Sequence, residues 1–180
     1  MLFTKSRLKY FLILFALTTS LTLTSCDKGI SPYFELNTGA FSGKVTFRGN
    51  WPAGIMQTYI IVFRSTLKSN SDFSPPNLSY VIGPIPYGTT EYSYNSIDNN
   101  AVSRFILSTG SYSYIVVAQS TKSDLSLDRK DWTVAGIYYS IGDTINPGVL
   151  NIEKDKITEN INITCDFNNP PPQPPTIFNN

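Results

Sequence analysis

Asn160-Ile161-Asn162-Ile163-Thr164-Cys165-Asp166-Phe167 decides the fold class. Successive side chains of an extended chain point to opposite faces, so Ile161, Ile163, Cys165 and Phe167 share one side and Asn160, Asn162, Thr164 and Asp166 the other. A period of two sustained over the whole stretch predicts a half-buried strand, with the Cys165 thiol in the core.

The same reading extends outward. Ala40 to Arg48 sets Phe41, Gly43, Val45 and Phe47 against Ser42, Lys44, Thr46 and Arg48, and ends at the loop Asn50-Trp51-Pro52-Ala53-Gly54. Met56 to Arg64 carries the unbroken apolar run Tyr59-Ile60-Ile61-Val62-Phe63, which fits a strand buried on both faces. Leu78 to Ile82 is a further strand, and Thr89 to Asn95 alternates Tyr92 and Tyr94 with polar residues. Asp98-Asn99-Asn100 is turn chemistry. Val102 to Leu107 and Tyr112 to Gln119 have the spacing of a hairpin across Ser108-Thr109-Gly110. The charged segment Thr121 to Asp131 has room for one helical turn. Trp132 to Ile141 and Val149 to Ile152 return to strand character. No stretch after Cys26 keeps a helical period. The expected fold is all-β, an antiparallel β-sandwich of seven to nine strands over residues 40–167, following an N-terminal signal helix.

That leader is legible in its charges. Lys5, Arg7 and Lys9 precede the apolar run Phe11 to Leu17, and a Thr/Ser/Leu stretch follows. A cationic start and a short apolar segment ending in small residues read as a secretory signal peptide, too short for a comfortable membrane span. Its last residues, Leu23-Thr24-Ser25-Cys26, resemble the lipobox of bacterial lipoproteins. The resemblance implies that Cys26 receives a diacylglycerol and becomes the new N-terminus, carrying acyl chains such as palmitate. One chain anchors only marginally and two or three hold firmly. The expected organisation is a removed signal over 1–25, a lipid-anchored flexible tether over 26–39, the β domain, and a disordered Pro-rich tail over 168–180. The tail's Pro170-Pro171-Pro172-Gln173-Pro174-Pro175 favours polyproline II. The expected address is the cell envelope, the outer membrane before the inner, although Asp27 resembles the inner-membrane retention signal of enteric bacteria.

Composition narrows the function classes. Three of the 14 basic residues belong to the leader, which leaves 11 against 13 acids, a net of −2 on the mature chain. A nearly neutral chain without a basic stripe argues against nucleic acid. There is no histidine, so the usual general base and the commonest metal ligand are missing and no Ser-His-Asp arrangement can be built. With Cys26 acylated, Cys165, the second of two cysteines, has no intramolecular partner.

Three stretches in order, Ser42-Gly43-Lys44-Val45-Thr46-Phe47, Tyr59 to Phe63, and Arg104-Phe105-Ile106-Leu107 with Gly110, Tyr112, Tyr114 and Val116, resemble the carboxypeptidase regulatory-like, or transthyretin-like, domains of bacterial surface lipoproteins. Trp132 to Tyr138 with Gly142-Asp143 and Pro147-Gly148 looks like a related group of lipoproteins. The insertion from Arg64 to Tyr94 is longer than that family's. The resemblance implies a prealbumin-like sandwich, also describable as Ig-like, with a non-enzymatic structural or binding role and no active-site residue.

The remaining candidates are of ordinary chemistry. Asp124, Asp128, Asp131 and Asp143 are the densest carboxylates, but their spacing matches no calcium loop and Arg129 and Lys130 sit among them, so a solvated loop is expected and no metal or cofactor. Asn77-Leu78-Ser79 and Asn162-Ile163-Thr164 match the glycosylation pattern by chance. Trp51, Trp132, Tyr92 and Tyr94, with Tyr138 and Tyr139, are candidates for a platform that stacks on sugar rings, although β cores use the same residues. The expected function is therefore a membrane-anchored envelope accessory whose partners are the bilayer, through Cys26, and an envelope protein or glycan. The alternative is a carbohydrate- or peptide-binding module of an uptake system.

Overall fold

In the computed structural model the described residues are 39–97, 102 and 106–175. The signal peptide, Cys26, all of the tether but Gly39, and the Asp98-Asn99-Asn100 turn lie outside them.

The described chain is nearly all β. Its strands are β1 (Ala40–Arg48), β2 (Gln57–Phe63), β3 (Leu78–Ile82), β4 (Glu91–Asn95), β5 (Gly110–Tyr112), β6 (Tyr114–Ser120), β7 (Thr133–Tyr138), β8 (Leu150–Ile152), β9 (Ile157–Thr158) and β10 (Ile163–Asp166). A curled sheet runs β3-β2-β6-β7-β10-β1-β4, with β9 also paired to β1, while β5 and β8 form a separate pair.

The sheet is mixed, which corrects the expectation of a purely antiparallel sandwich of seven to nine strands. β10 lies between β7 and β1, antiparallel to the first and parallel to the second. The dyad pattern of 160–167 fixes which face is buried but not which way a neighbour runs. With hydrogen-bonded neighbours on both sides, β10 buries Ile163 and Cys165 at 1% and 0% exposure, and burial pushes the Cys165 thiol pKa well up.

β9, Ile161 and β10 follow β1 as one interrupted strand. Ala40 faces Ile157, but Val45 faces Ile163, so the 157–166 side carries one extra residue. Asn160, at φ 65°, sits in that bulge. Ile161 N–H donates to the Ser42 carbonyl at 3.0 Å. Its own carbonyl oxygen approaches Gly43 so closely that a Cβ there would stand 2.1 Å away. Tyr94, opposite Gly43 on β4, reaches across β1 and donates its hydroxyl to that same oxygen at 2.5 Å.

Apolar residues cover both faces of the central strands. Ile60, Val62, Ile115 and Val117 join Phe41, Val45, Tyr94, Ile163 and Cys165 in one core, over which Tyr112, Leu150 and Ile152 of the β5–β8 pair are packed. Ile61, Phe63, Tyr114, Val116, Val134 and Ile137 form a second core with Leu67, Phe73 and Trp132. The run Tyr59 to Phe63 is thus buried on both sides, as expected.

Of the expected hairpin between 102–107 and 112–119, residues 103–105 lie outside the described residues, and the second strand finds other partners. β5 pairs with β8 and β6 with β2 and β7, because the chain bends at Ser113, whose N–H and hydroxyl both donate to the Arg64 carbonyl. Val102 N–H instead donates to Val81. The charged segment before Trp132 does hold one turn, a short 3-10 helix at Arg129–Asp131.

Over its described residues the Pro-rich tail makes hydrogen bonds to the domain. β10 ends before it can cover the start of β7, and Gln173 takes the vacant place. Val134 N–H donates to Gln173 Oε1 at 2.8 Å, and Gln173 Nε2 donates back to the Val134 carbonyl at 2.8 Å. Prolines have no N–H to offer, so one glutamine side chain does for the sheet edge what a strand backbone would.

Two substitutions test this construction. Gly43→Ala forces a methyl onto the Ile161 carbonyl and is expected to destabilise the domain by about 3 kcal/mol or more, read as a lowered urea midpoint. Gln173→Ala leaves two buried backbone groups of Val134 without partners and is expected to cost about 1–3 kcal/mol, with faster amide exchange at Val134.

Candidate functional site

β1 ends at Arg48, and Gly49 at φ 82° turns the chain so that Trp51 folds back over Phe47. Their ring centroids are 4.6 Å apart. The register of β10 on β1 brings Phe167 to the same place, where its N–H donates to the Arg48 carbonyl at 2.9 Å and its ring stacks on Phe47 at 6.0 Å. From the loop ahead of β4 comes Tyr87, 5.2 Å from Trp51, held between Pro86 and Gly88 with Gly88 at φ 81°. Trp51 is 5.3 Å from Phe167, and its indole N–H donates to the Thr89 carbonyl at 3.0 Å.

Four rings from three segments therefore make an aromatic shelf at one end of the first core. Phe47 is buried at 7% exposure, Trp51 is half-buried, and Tyr87 is 57% exposed. The inner rings fix the outer ones, and the indole N–H is already bonded, so what Trp51 and Tyr87 present is mainly ring face and edge. Such a surface can stack on the C–H face of a sugar ring or on another apolar plane.

The structure divides the sequence candidates sharply. Trp51 is at the shelf. Tyr92 is half-buried against the first core. Tyr94 is buried and bonded to Ile161, and burial raises its pKa strongly. Trp132 is 4% exposed in the second core, with its indole N–H on the Ser126 carbonyl, 6.0 Å from Tyr59. Tyr138 and Tyr139 flank different cores. These aromatics do not form one platform. Tyr87, Phe47 and Phe167 were missed as partners of Trp51, although Pro86-Tyr87-Gly88 does mark an aromatic at a turn tip.

The acidic candidates hold loops. Asp128 pairs with Lys130 at 3.3 Å, and Asp131 accepts from the Ser126 hydroxyl at 2.7 Å. Asp143 accepts from Ile145 N–H, Asn146 N–H and the Asn146 amide, which lower its pKa. Among the described residues no three His, Cys, Asp or Glu side chains converge as a metal site would require. Asn77 and Asn162 of the glycosylation-like triplets are engaged too, Asn77 with Ser65 and Asp72, Asn162 with Lys44 N–H.

The two tryptophans should differ in solution. Acrylamide is expected to quench Trp51 emission and to leave Trp132 nearly untouched, so Trp51→Phe removes most of the quenchable fraction and Trp132→Phe little of it, measured by Stern–Volmer titration. Comparison with family models, with curated proteins and with solved structures returns no match for the chain.

Proposed function

We propose that the chain is a lipid-anchored, non-enzymatic binding accessory of a bacterial cell envelope, with acyl chains on Cys26 and a transthyretin-like β-sandwich as its working domain. The observation that carries this reading is Leu23-Thr24-Ser25-Cys26 behind a cationic and then apolar leader. The curled β domain with two apolar cores is of a kind that suits such a role. A sequence without histidine also favours binding over the commonest acid–base chemistry.

A second reading, carbohydrate binding, has its own support in the shelf. Exposed Tyr87 beside half-buried Trp51 offers ring surface that is braced from behind by Phe47 and Phe167. Bracing lowers the conformational entropy lost when a ligand docks.

Two measurements check these readings. Fractionation of the full chain should find the wild type with membranes and processed Cys26→Ala in the soluble fraction; a processed variant that stays with membranes counts against the anchor. The mature protein should show one reactive thiol in denaturant, that of Cys165, and none when folded. For the shelf, soluble oligosaccharides should quench Trp51 emission in the wild type and not in Tyr87→Ala, while silence from folded wild type across the panel sinks the sugar reading.

A further inference from the structure

Arg129 is 5% exposed. Its Nη1 donates to the Trp132 carbonyl and its Nη2 to the Pro174 carbonyl at 2.9 Å, while its Nε has no partner. Buried cations are ordinarily matched by a carboxylate, because two neutral carbonyls replace only part of the lost hydration. Among the described residues none is supplied. The ion pairs of the described residues join Lys44 to Glu91, Lys130 to Asp128 and Lys156 to Glu153. Of the acids flanking Arg129, Asp128 holds Lys130 and Asp131 takes the Ser126 hydroxyl.

Pro174, one of the two residues whose carbonyl Arg129 holds, lines a cavity of about 250 Å³. It forms one wall together with Pro172, and Tyr114, whose phenol feels the Arg129 charge, also lines the cavity. Ile137, Tyr139 and Ile145 complete the part that matters for recognition. The Tyr114 hydroxyl forms no hydrogen bond among the described residues. Burial pushes its pKa up to about 12, with Arg129 pulling it down, so it is a neutral donor at any physiological pH. At the other end Asp143, whose charge Tyr139 feels, has its oxygens occupied by Ile145 and Asn146.

We propose that this cavity binds a small apolar molecule carrying one carboxylate, with the carboxylate at the Tyr114 end and the apolar body against Ile137, Ile145 and the proline wall. The Tyr114 hydroxyl is the direct donor. Arg129 is the counter-charge behind it, a positioning residue whose missing acid the ligand provides. The low polarity around both strengthens the attraction over what it would be in water. The proline wall belongs to the segment fastened by Gln173, so the same amide that completes the β7 edge also holds that wall of the open cavity in place. None of this depends on the lipid anchor or on the aromatic shelf.

Equilibrium dialysis of the purified, detergent-solubilised full chain against benzoate, and against its neutral isostere benzamide, tests the proposal. Saturable binding of one benzoate per chain is expected, with benzamide at least roughly tenfold weaker. Arg129→Met should bring the two ligands to equal affinity. Because a buried change can also unfold the domain, Ile145→Asp gives an independent arm. Ile145 lines the cavity yet is 83% exposed, so the variant keeps the fold; both ligands lose the apolar contact, and the added charge should weaken benzoate severalfold more than benzamide. The proposal is overturned by absence of saturable benzoate binding, by equal binding of benzamide to the wild type, or by an Ile145→Asp variant that binds benzoate as the wild type does.

Discussion

One tight backbone contact, the Ile161 carbonyl against Gly43, sets how the last strands of the chain meet the first. Every neighbour of that oxygen is arranged for it. Gly43 has no Cβ to block the approach, Tyr94 lies opposite on β4 and supplies the hydrogen bond, and the bulge at Asn160 shifts the 157–166 segment by one residue so that Ile161 arrives in place. A buried carbonyl without a partner costs about 1–3 kcal/mol, so the phenol is required once the approach is made. β10 and β1 then meet in parallel, β7 and β4 extend the sheet on either side, and Phe47 and Phe167 come together as the base of the aromatic shelf.

A sheet with apolar residues on both faces needs two covers. On the inner face the sheet's own curl and the β5–β8 pair serve, with Tyr112 and Leu150 at 0% exposure. Among the described residues the outer face has no second layer of strands. Loops do the work there: Leu67 and Phe73 from the segment after β2, Trp132 from the segment after β6, and the tail through Gln173. Loops carry backbone polar groups that must be satisfied when buried, which explains the density of side-chain bonds in them. Asn77 alone binds Ser65 N–H, the Ser65 carbonyl and the Asp72 carbonyl. Arg129 is the costliest part of this outer cover, since it buries a charge to hold the Trp132 and Pro174 carbonyls.

What was legible in the sequence was what depends on a local period. The alternations at 40–48 and 160–167, the two-sided burial of Tyr59 to Phe63 and the buried Cys165 all follow from side-chain direction along a strand. Strand partnership was not legible, because it is set by register between distant segments. The parallel β1–β10 pair and the bend at Ser113 depend on Ile161 and Arg64, far away in sequence. The contacts of the tail were not legible for a related reason. Its prolines advertise an exposed extended segment, and the single Gln173 that fastens it gives no signal without its partner Val134. At the candidate site Trp51 could be singled out from its Pro-flanked loop, but Tyr94 and Trp132 could not be dismissed, since an aromatic at a strand position reads alike whether it faces a core or a ligand.

The aromatic shelf and the Arg129 cavity belong to opposite faces of the same strands. Ile115 and Val117 of β6 point into the core that ends at Trp51, while Tyr114 and Val116 point the other way into the second core, where Tyr114 also lines the cavity. Mutations that share no partner combine nearly additively, so Tyr87 and Ile145, both exposed and on different cores' margins, can be altered together without confusing one effect with the other. Residues that serve both the fold and a site are a different matter. Phe47 lies in the first core and Tyr114 in the second, each nearly buried, and a change at either moves stability along with any binding. Function in this domain is therefore best separated from fold at its exposed rims, where the sequence pattern is weakest and the structure most informative.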